Sequence, residues 1–225
     1  MLDTLKLDCY HEFEIYTKGK SRMILAPSKP LKLRQRWILD EILNKLPTNQ
    51  CCHGFVQQRS IKTNAEMHVN KTQVLCMDIH NFFPSININQ VFEVFHCVGY
   101  TSDVAQALAQ LCTHNAILPQ GAPTSPTLAN IIFSPIDQQI LNAISTKEIT
   151  YTRYADDLIF SSSHELDFLI PLISEIISTN GFEINSNKTH LMKNPYRKMI
   201  TGLIVTDTVK IPKYYKRKFN QELFY

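Results

Sequence analysis

The chain has 225 residues, enough for one large domain or two small subdomains with a real core. Hydrophobic residues make up 44% and charged residues 19%, a globular composition, and no apolar run is long enough to span a bilayer. The net charge of +3 conceals an asymmetry: residues 18–36 hold seven Lys/Arg and no acid, residues 193–218 hold eight and only Asp207, and the remainder carries eight bases against nineteen acids. Two basic segments on an otherwise acidic chain read as contact surfaces for a polyanion or, equally, as solvated faces. The N-terminus lacks the apolar segment of a signal peptide. The six cysteines show no Cys-x-x-Cys spacing and several lie in apolar stretches, as reduced core thiols of a cytoplasmic protein do. Cys51-Cys52-His53 has no second pair with which to build a zinc site.

In chain order, Phe13 to Tyr16 and Arg22 to Leu25 flank Lys18-Gly19-Lys20 and predict a hairpin. Leu31 to Leu46 has helical spacing, with Leu31, Arg34, Trp37, Ile38, Glu41, Ile42 and Lys45 recurring, and Pro47 follows its end. His53 to Asn64 reads as irregular. Gln73 to Ile79 is a buried-strand run with one acid, Asp78, at its end, where a charge is costly unless paired or bound to metal. Asn89–Val98 and Ser102–Thr113 predict two helices. Leu118 to Pro126 is a Pro/Gly-rich loop that leads into a helix ending near Ile144. Glu165–Thr179 carries an apolar helical stripe stopped by Gly181. Phe182-Glu183-Ile184 predicts a short strand, Met199–Val205 pairs with Val209–Ile211, and Tyr214–Phe224 predicts a last basic helix.

The strongest chemical signal is Tyr151 to Ser161. Two runs rich in aromatic and β-branched residues flank Ala155-Asp156, which predicts a tight hairpin turn carrying Asp156 and Asp157. Adjacent carboxylates repel unless a cation neutralises them, and oxygen ligands on a compact turn suit Mg²⁺. A solvated Asp-Asp turn is the plain alternative for such a pair taken alone. The order strand, helices, strand–turn–strand, helix, strand is a βαββαβ arrangement. It would bring Asp78 beside the turn, so that three carboxylates converge on two metal ions about 4 Å apart.

Together these residues resemble a bacterial reverse transcriptase of the retron type, over roughly residues 10–225. Asp78 to Ile86 resembles the first catalytic motif, Leu118 to Asn130 the template and nucleotide motif, and Tyr154-Ala155-Asp156-Asp157 the signature turn. Asn187-Lys188-Thr189 falls where the family has a lysine motif. Asn64-Ala65-Glu66-Met67-His68 fits the Asn-Ala-x-x-His pattern of retron enzymes, and Ile200-Thr201-Gly202 resembles their Val-Thr-Gly motif with Ile for Val.

The resemblance implies an α+β right-hand polymerase fold with fingers, a ferredoxin-like βαββαβ palm and a truncated helical thumb. The expected division is fingers 1–72, palm strand with the first acid 73–86, fingers and palm helices 87–118, palm 119–198, and primer-grip hairpin with the start of the thumb 199–225. It implies Asp78, Asp156 and Asp157 as catalytic acids, with Ile79 beside them in a site for two Mg²⁺ ions, for which Mn²⁺ could substitute. Arg22, with Lys18 or Lys20 beside it, would hold the triphosphate of a deoxynucleotide, Phe83 would exclude the ribose 2′-hydroxyl, Gln120 would contact the nucleotide, and Lys188 would protonate pyrophosphate or merely attract it. Asn64, His68, Thr201, Gly202, Lys210, Lys213, Lys216, Arg217 and Lys218 would contact RNA or template–primer. The implied reaction is copying of part of a cognate non-coding RNA into DNA, primed from a guanosine 2′-hydroxyl to give a branched RNA–DNA product, in antiphage defence with an effector protein. A partner chain, a second copy or the folded RNA would complete the thumb. The rival readings are another bacterial reverse transcriptase of defence or intron type, and a non-catalytic RNA-binding scaffold.

Overall fold

The computed structural model describes residues 10–17, 20–193 and 198–223. Its strands are β1 (Tyr10–Thr17), β2 (Lys20–Pro27), β3 (Gln73–Asp78), β4 (Thr150–Tyr154), β5 (Asp157–Ser162), β6 (His190–Met192), β7 (Lys198–Ile200), β8 (Leu203–Val205) and β9 (Val209–Lys210). Its helices are α1 (Lys29–Glu41), α2 (Ile61–Glu66), α3 (Ile88–Val98), α4 (Ser102–Cys112), α5 (Ser125–Ile144), α6 (Leu169–Thr179) and α7 (Lys213–Leu223). The chain forms two compact units, residues 1–48 with 81–134, and residues 49–80 with 135–225. The boundary inside α5 falls at Pro135, whose ring removes one helical hydrogen bond. Residues 49–72, expected with the fingers, belong to the second unit, and residues 119–134, expected with the palm, belong to the first.

In the first unit, β1 and β2 pair antiparallel, and Lys18-Gly19, expected in the turn between them, lie outside the described residues. A two-stranded ribbon is marginal alone. Here β2 is tied to the loop before α5: the Leu25 amide donates to the Gln120 carbonyl at 2.9 Å. Gly121, at φ +133°, lies so close that a Cβ would stand 2.6 Å from the Leu25 oxygen. α1 buries Leu31, Gln35 and Ile38, whereas Trp37, expected on the apolar stripe, is exposed. The buried Gln35 amide donates to the Tyr10 hydroxyl and to the Leu111 carbonyl, both at 2.8 Å, which offsets its desolvation. α3 opens with a capping box at Asn87 and closes at Gly99 in the left-handed region.

The second unit is built on a sheet of order β4-β5-β3-β6, antiparallel throughout. This is the strand order of a ferredoxin-like fold, with the long excursion through α3 to α5 between β3 and β4 and α6 between β5 and β6. The edge strand is His190–Met192. Phe182-Glu183-Ile184, expected in that place, makes only an isolated bridge from Ile184 to Ile79. Met199–Val205 is not one strand but two, because Thr201 (φ +45°) and Gly202 (φ +85°) form a two-residue turn in which Ile200 pairs with Leu203. Positive φ at both central residues is what such a hairpin turn demands. α2, in the stretch expected to be irregular, is nucleated by a reciprocal capping box between Ser60 and Thr63.

One face of the sheet packs Val74 and Ile159 with Ala65 of α2 and with Ile200, Leu203 and Val205. His68 is buried on the same face, its Nδ1 2.7 Å from Ser161 Oγ on β5 and its Nε2 2.7 Å from Thr152 Oγ1 on β4. In the unfolded chain this imidazole titrates near 6.5. In the fold its pKa is pushed down to about 3, chiefly by burial, with neighbouring His53 and Lys71 adding repulsion. Below 6.5 the unfolded chain therefore binds a proton that the folded chain refuses, so stability is full above about pH 6.5 and declines as pH falls toward about 3. The expected loss by about pH 5 is on the order of 2 kcal/mol. Urea unfolding at about pH 7.5 and about pH 5 checks this: His68→Asn, which does not titrate, should lose roughly that much less across the interval. Parallel losses in the two proteins would contradict the assignment.

Candidate active site

Three carboxylates meet at one end of the sheet because of the register of its strands. Asp78 ends β3 and Asp157 begins β5, and the two are directly paired across the ladder. Asp156 lies in the turn between β4 and β5, and its carbonyl accepts from the Ile79 amide at 3.0 Å. Like charges opposite each other across strands destabilise a sheet. The effect is visible on Asp157, whose pKa is pushed up to about 6 by burial and then by the Asp156 and Asp78 charges, with Lys188 opposing. Asp78 is 6% exposed. Its Oδ1 lies 2.5 Å from Nζ of Lys188, which a short 3₁₀ turn at Ser186–Lys188 brings over the end of β3. The amide of Asn185 donates to the Asp78 carbonyl at 2.8 Å and fixes that turn.

Among the described residues, no three His, Cys, Asp or Glu side chains are arranged to hold a metal ion as they stand. The donor set nevertheless fits a hard divalent cation. It offers oxygen ligands only, it contains a carboxylate whose ionisation is held back by burial and then by its neighbours' charges, and an ammonium already sits on Asp78 where positive charge is wanted. Ile79 is buried, so only its backbone stands at this site.

The remaining expected residues lie on other elements. Arg22, Phe83 and Gln120 lie in the first unit, and Lys18 lies outside the described residues. Arg22 is exposed on β2, three residues before the Leu25–Gln120 bond, and Phe83 is half-buried with its ring 5.6 Å from that of Phe82. Phe82 is the core residue of the pair, packed edge-on against Phe133. Asn64 and His68, expected to contact RNA, are fully buried in the second unit, and both ring nitrogens of His68 are bonded within the sheet. Thr201 and Gly202 form the β7–β8 turn, and Thr201 Oγ1 donates to the Ile61 carbonyl of α2 at 3.3 Å. Lys210 is exposed beside Asp207. Lys213, Lys216, Arg217 and Lys218 are exposed on α7, and no residue of that helix is buried.

One functional feature escaped the sequence reading. Arg153 and Asp137 are both fully buried and form a bidentate ion pair behind the turn, with Nε to Oδ1 at 2.9 Å and Nη2 to Oδ2 at 2.8 Å. The signal was present: Arg153 interrupts a buried-strand run, and Asp137 is the sole acid of α5. Two lone charges in apolar segments must find each other.

Comparison with known proteins fits this geometry. Residues 11–211 match the family of reverse transcriptases (RNA-dependent DNA polymerases). The chain is 37% identical over 220 residues to the retron Ec86 reverse transcriptase of Escherichia coli, covering 91% of this chain and 68% of that protein. It is 35% identical over 211 residues to the retron Mx65 enzyme of Myxococcus xanthus, covering 85% of this chain and 49% of that one. Its fold superposes on telomerase from Candida albicans, solved with a fragment of telomeric RNA, with a TM-score of 0.64 at 11% identity, covering 96% of this chain and 51% of that one. It also superposes on telomerase from Candida tropicalis, with a TM-score of 0.61 at 12% identity, covering 90% and 55%. The chain thus spans about two thirds of the first relative and about half of the second. By family match, identity and fold alike, the chain belongs to the reverse transcriptases, the RNA-dependent DNA polymerases, and within them to the retron type.

Proposed function

We propose that this chain carries the polymerising centre of a retron enzyme and copies part of a structured, cognate RNA into single-stranded DNA from deoxynucleoside triphosphates. The observation that carries the reading is the meeting of Asp78, Asp156 and Asp157 at one end of an antiparallel sheet, with the Lys188 ammonium on Asp78. Asp78 and Asp156 would hold Mg²⁺, with Asp157 contributing less directly. Bound there, the ions lower the barrier to in-line phosphoryl transfer by activating a hydroxyl and stabilising the leaving oxygen.

The chain's own groups do the rest. Asp78 is held at its Oδ1 by Lys188 and at its carbonyl by Asn185, so its carboxylate is oriented before any ligand arrives. Lys188 Nζ is a movable proton donor, 40% exposed, that can transfer its contact from Asp78 to a departing pyrophosphate. Arg22, exposed on β2, offers a planar fork suited to a triphosphate. Gln120 would meet the nucleotide from a loop whose backbone is pinned to β2. Phe83, half-buried where Phe82 takes the core position, is the ring available to exclude a 2′-hydroxyl. The exposed bases of α7 and Lys210 would bind phosphates without reading sequence. The resemblance to retron enzymes implies a branched product primed from a guanosine 2′-hydroxyl and a role in antiphage defence, and both belong to this proposal. Sequencing the nucleic acid that copurifies, and testing whether its DNA is covalently joined to RNA, checks that part. Free, unbranched DNA would refute the priming, and no associated RNA would refute a retron template.

Asp156→Asn is near-isosteric and should fold. It is expected to lower DNA synthesis by about 100- to 1000-fold or more, as loss of a preorganised charge does. RNA affinity should change little, because phosphate binding comes from the basic segments. Primer extension and filter binding on one preparation read both, and extension at an appreciable fraction of the wild-type rate would remove Asp156 from the site. Phe83→Ala is expected to admit ribonucleotides. Competition between a ribonucleotide and its deoxy counterpart measures this, and unchanged discrimination in an active variant would move the gate to another residue.

A further inference from the structure

The turn that carries Asp156 is gripped by groups with no part in the chemistry proposed above. Ala155 sits at φ +57°, a left-handed conformation that costs an L-residue on the order of 1 kcal/mol. Its carbonyl accepts a hydrogen bond from Arg153 Nη1 at 3.2 Å. The other side of that guanidinium is locked on Asp137, whose Oδ1 also accepts from the Tyr151 hydroxyl at 2.8 Å.

Gly54 closes the turn from outside. A Cβ at Gly54 would stand 2.4 Å from the Ala155 nitrogen and 3.0 Å from the Tyr154 carbonyl carbon, both backbone atoms that cannot yield cheaply. The segment bearing Gly54 is itself in register with β4: the Arg153 amide donates to the Cys51 carbonyl at 2.8 Å, and the His53 amide donates to the Arg153 carbonyl at 2.7 Å. Arg153 therefore holds the 51–54 segment with its backbone and the Ala155 carbonyl with its side chain. The Ile79 amide holds the Asp156 carbonyl from β3. A buried ion pair stabilises a fold poorly against an apolar pair of similar volume, so this one needs a further reason. The guanidinium arm on Ala155 supplies it.

We propose that Arg153, anchored by Asp137, and Gly54 are positioning residues that force the Ala155–Asp156 turn into its left-handed conformation and thereby aim the Asp156 carboxylate at a divalent cation shared with Asp78. This rests on the reading of those carboxylates as metal ligands. The brace fixes backbone, and leaves carboxylate rotation and the departure of Lys188 as the adjustments that admit the ion. Partners that orient metal-binding carboxylates typically matter by about 10- to 100-fold in affinity.

The test is Mn²⁺ binding, followed by electron paramagnetic resonance on the intact chain without template or nucleotide, alongside thermal unfolding and near-ultraviolet circular dichroism. Gly54→Ala introduces the clash. Arg153→Lys keeps a cation against Asp137 but has no second arm for Ala155. Both are expected to weaken Mn²⁺ binding about 10- to 100-fold at temperatures where the fold is intact. Adding Ala155→Gly to Arg153→Lys should recover most of that loss, because glycine adopts the left-handed turn without bracing. Should Gly54→Ala fail to fold, Arg153→Lys decides alone, since it retains the buried charge pair. Asp156→Asn separates the two levels of the argument. If it binds Mn²⁺ like the wild type, the metal-site reading fails. If it loses Mn²⁺ while folded Gly54→Ala and Arg153→Lys bind normally, or if their loss is not rescued by Ala155→Gly, the positioning role is overturned and the metal site stands.

Discussion

Asp78 and Asp157 face each other across an antiparallel ladder, and Asp156 adjoins them. Opposed like charges work against that pairing, so the rest of the second unit must supply what the ladder loses. It does so with apolar area and with cations. Every other β3–β5 pair is apolar or small and polar: Met77 with Leu158, Cys76 with Ile159, Leu75 with Phe160, Val74 with Ser161 and Gln73 with Ser162. Lys188 offsets part of the negative charge, and the pKa of Asp157 is raised by burial first and by the Asp156 and Asp78 charges second. A sheet end so built is where we propose that a divalent cation binds, and that binding would link the fold to the family's chemistry.

Alternation along β4 divides the polar interior of this unit between the two sheet faces. Thr152 points to the side of α2, where His68 bridges it to Ser161. Tyr151 and Arg153 point to the opposite side, where Asp137 of α5 receives both, and the Tyr151 ring stacks on Phe160 at 4.8 Å. Each network is buried and bonded to β4 or β5, so each constrains the register that delivers the carboxylates. The Asn-Ala-x-x-His stretch thereby acquires a structural account at His68. The amide of buried Asn64 has no hydrogen-bond partner among the described residues.

Much of this was legible in the sequence, for identifiable reasons. β3 is an apolar run, β4 and β5 are rich in aromatic and β-branched residues, and the acids sit where these runs end, so both strand ends and site acids could be read together. The edge strand was not legible. His190–Met192 is three residues long with no alternation to reveal it, and the more apolar Phe182-Glu183-Ile184 drew the assignment instead. The β7–β8 turn was missed because Thr201-Gly202 lies inside an apolar run, and the backbone demand for positive φ outweighs that continuity. Trp37 was misplaced for another reason: helical spacing gives a face, but not which face is covered, and in α1 the covered one runs through Gln35. Buried Asn64 and His68 show the same limit, since a polar pair at helical spacing reads alike as a surface contact or as a satisfied interior group.

The central claim is that the acids at the end of β3 and β5 form one cation site, with Lys188 standing on Asp78 until an ion arrives. Anomalous diffraction from crystals soaked in Mn²⁺ tests it most directly. The account expects an anomalous peak within ligand distance of both Asp78 and Asp156, with Lys188 Nζ displaced from Asp78. A peak elsewhere, or none at saturating Mn²⁺ with the Lys188–Asp78 contact intact, would contradict it.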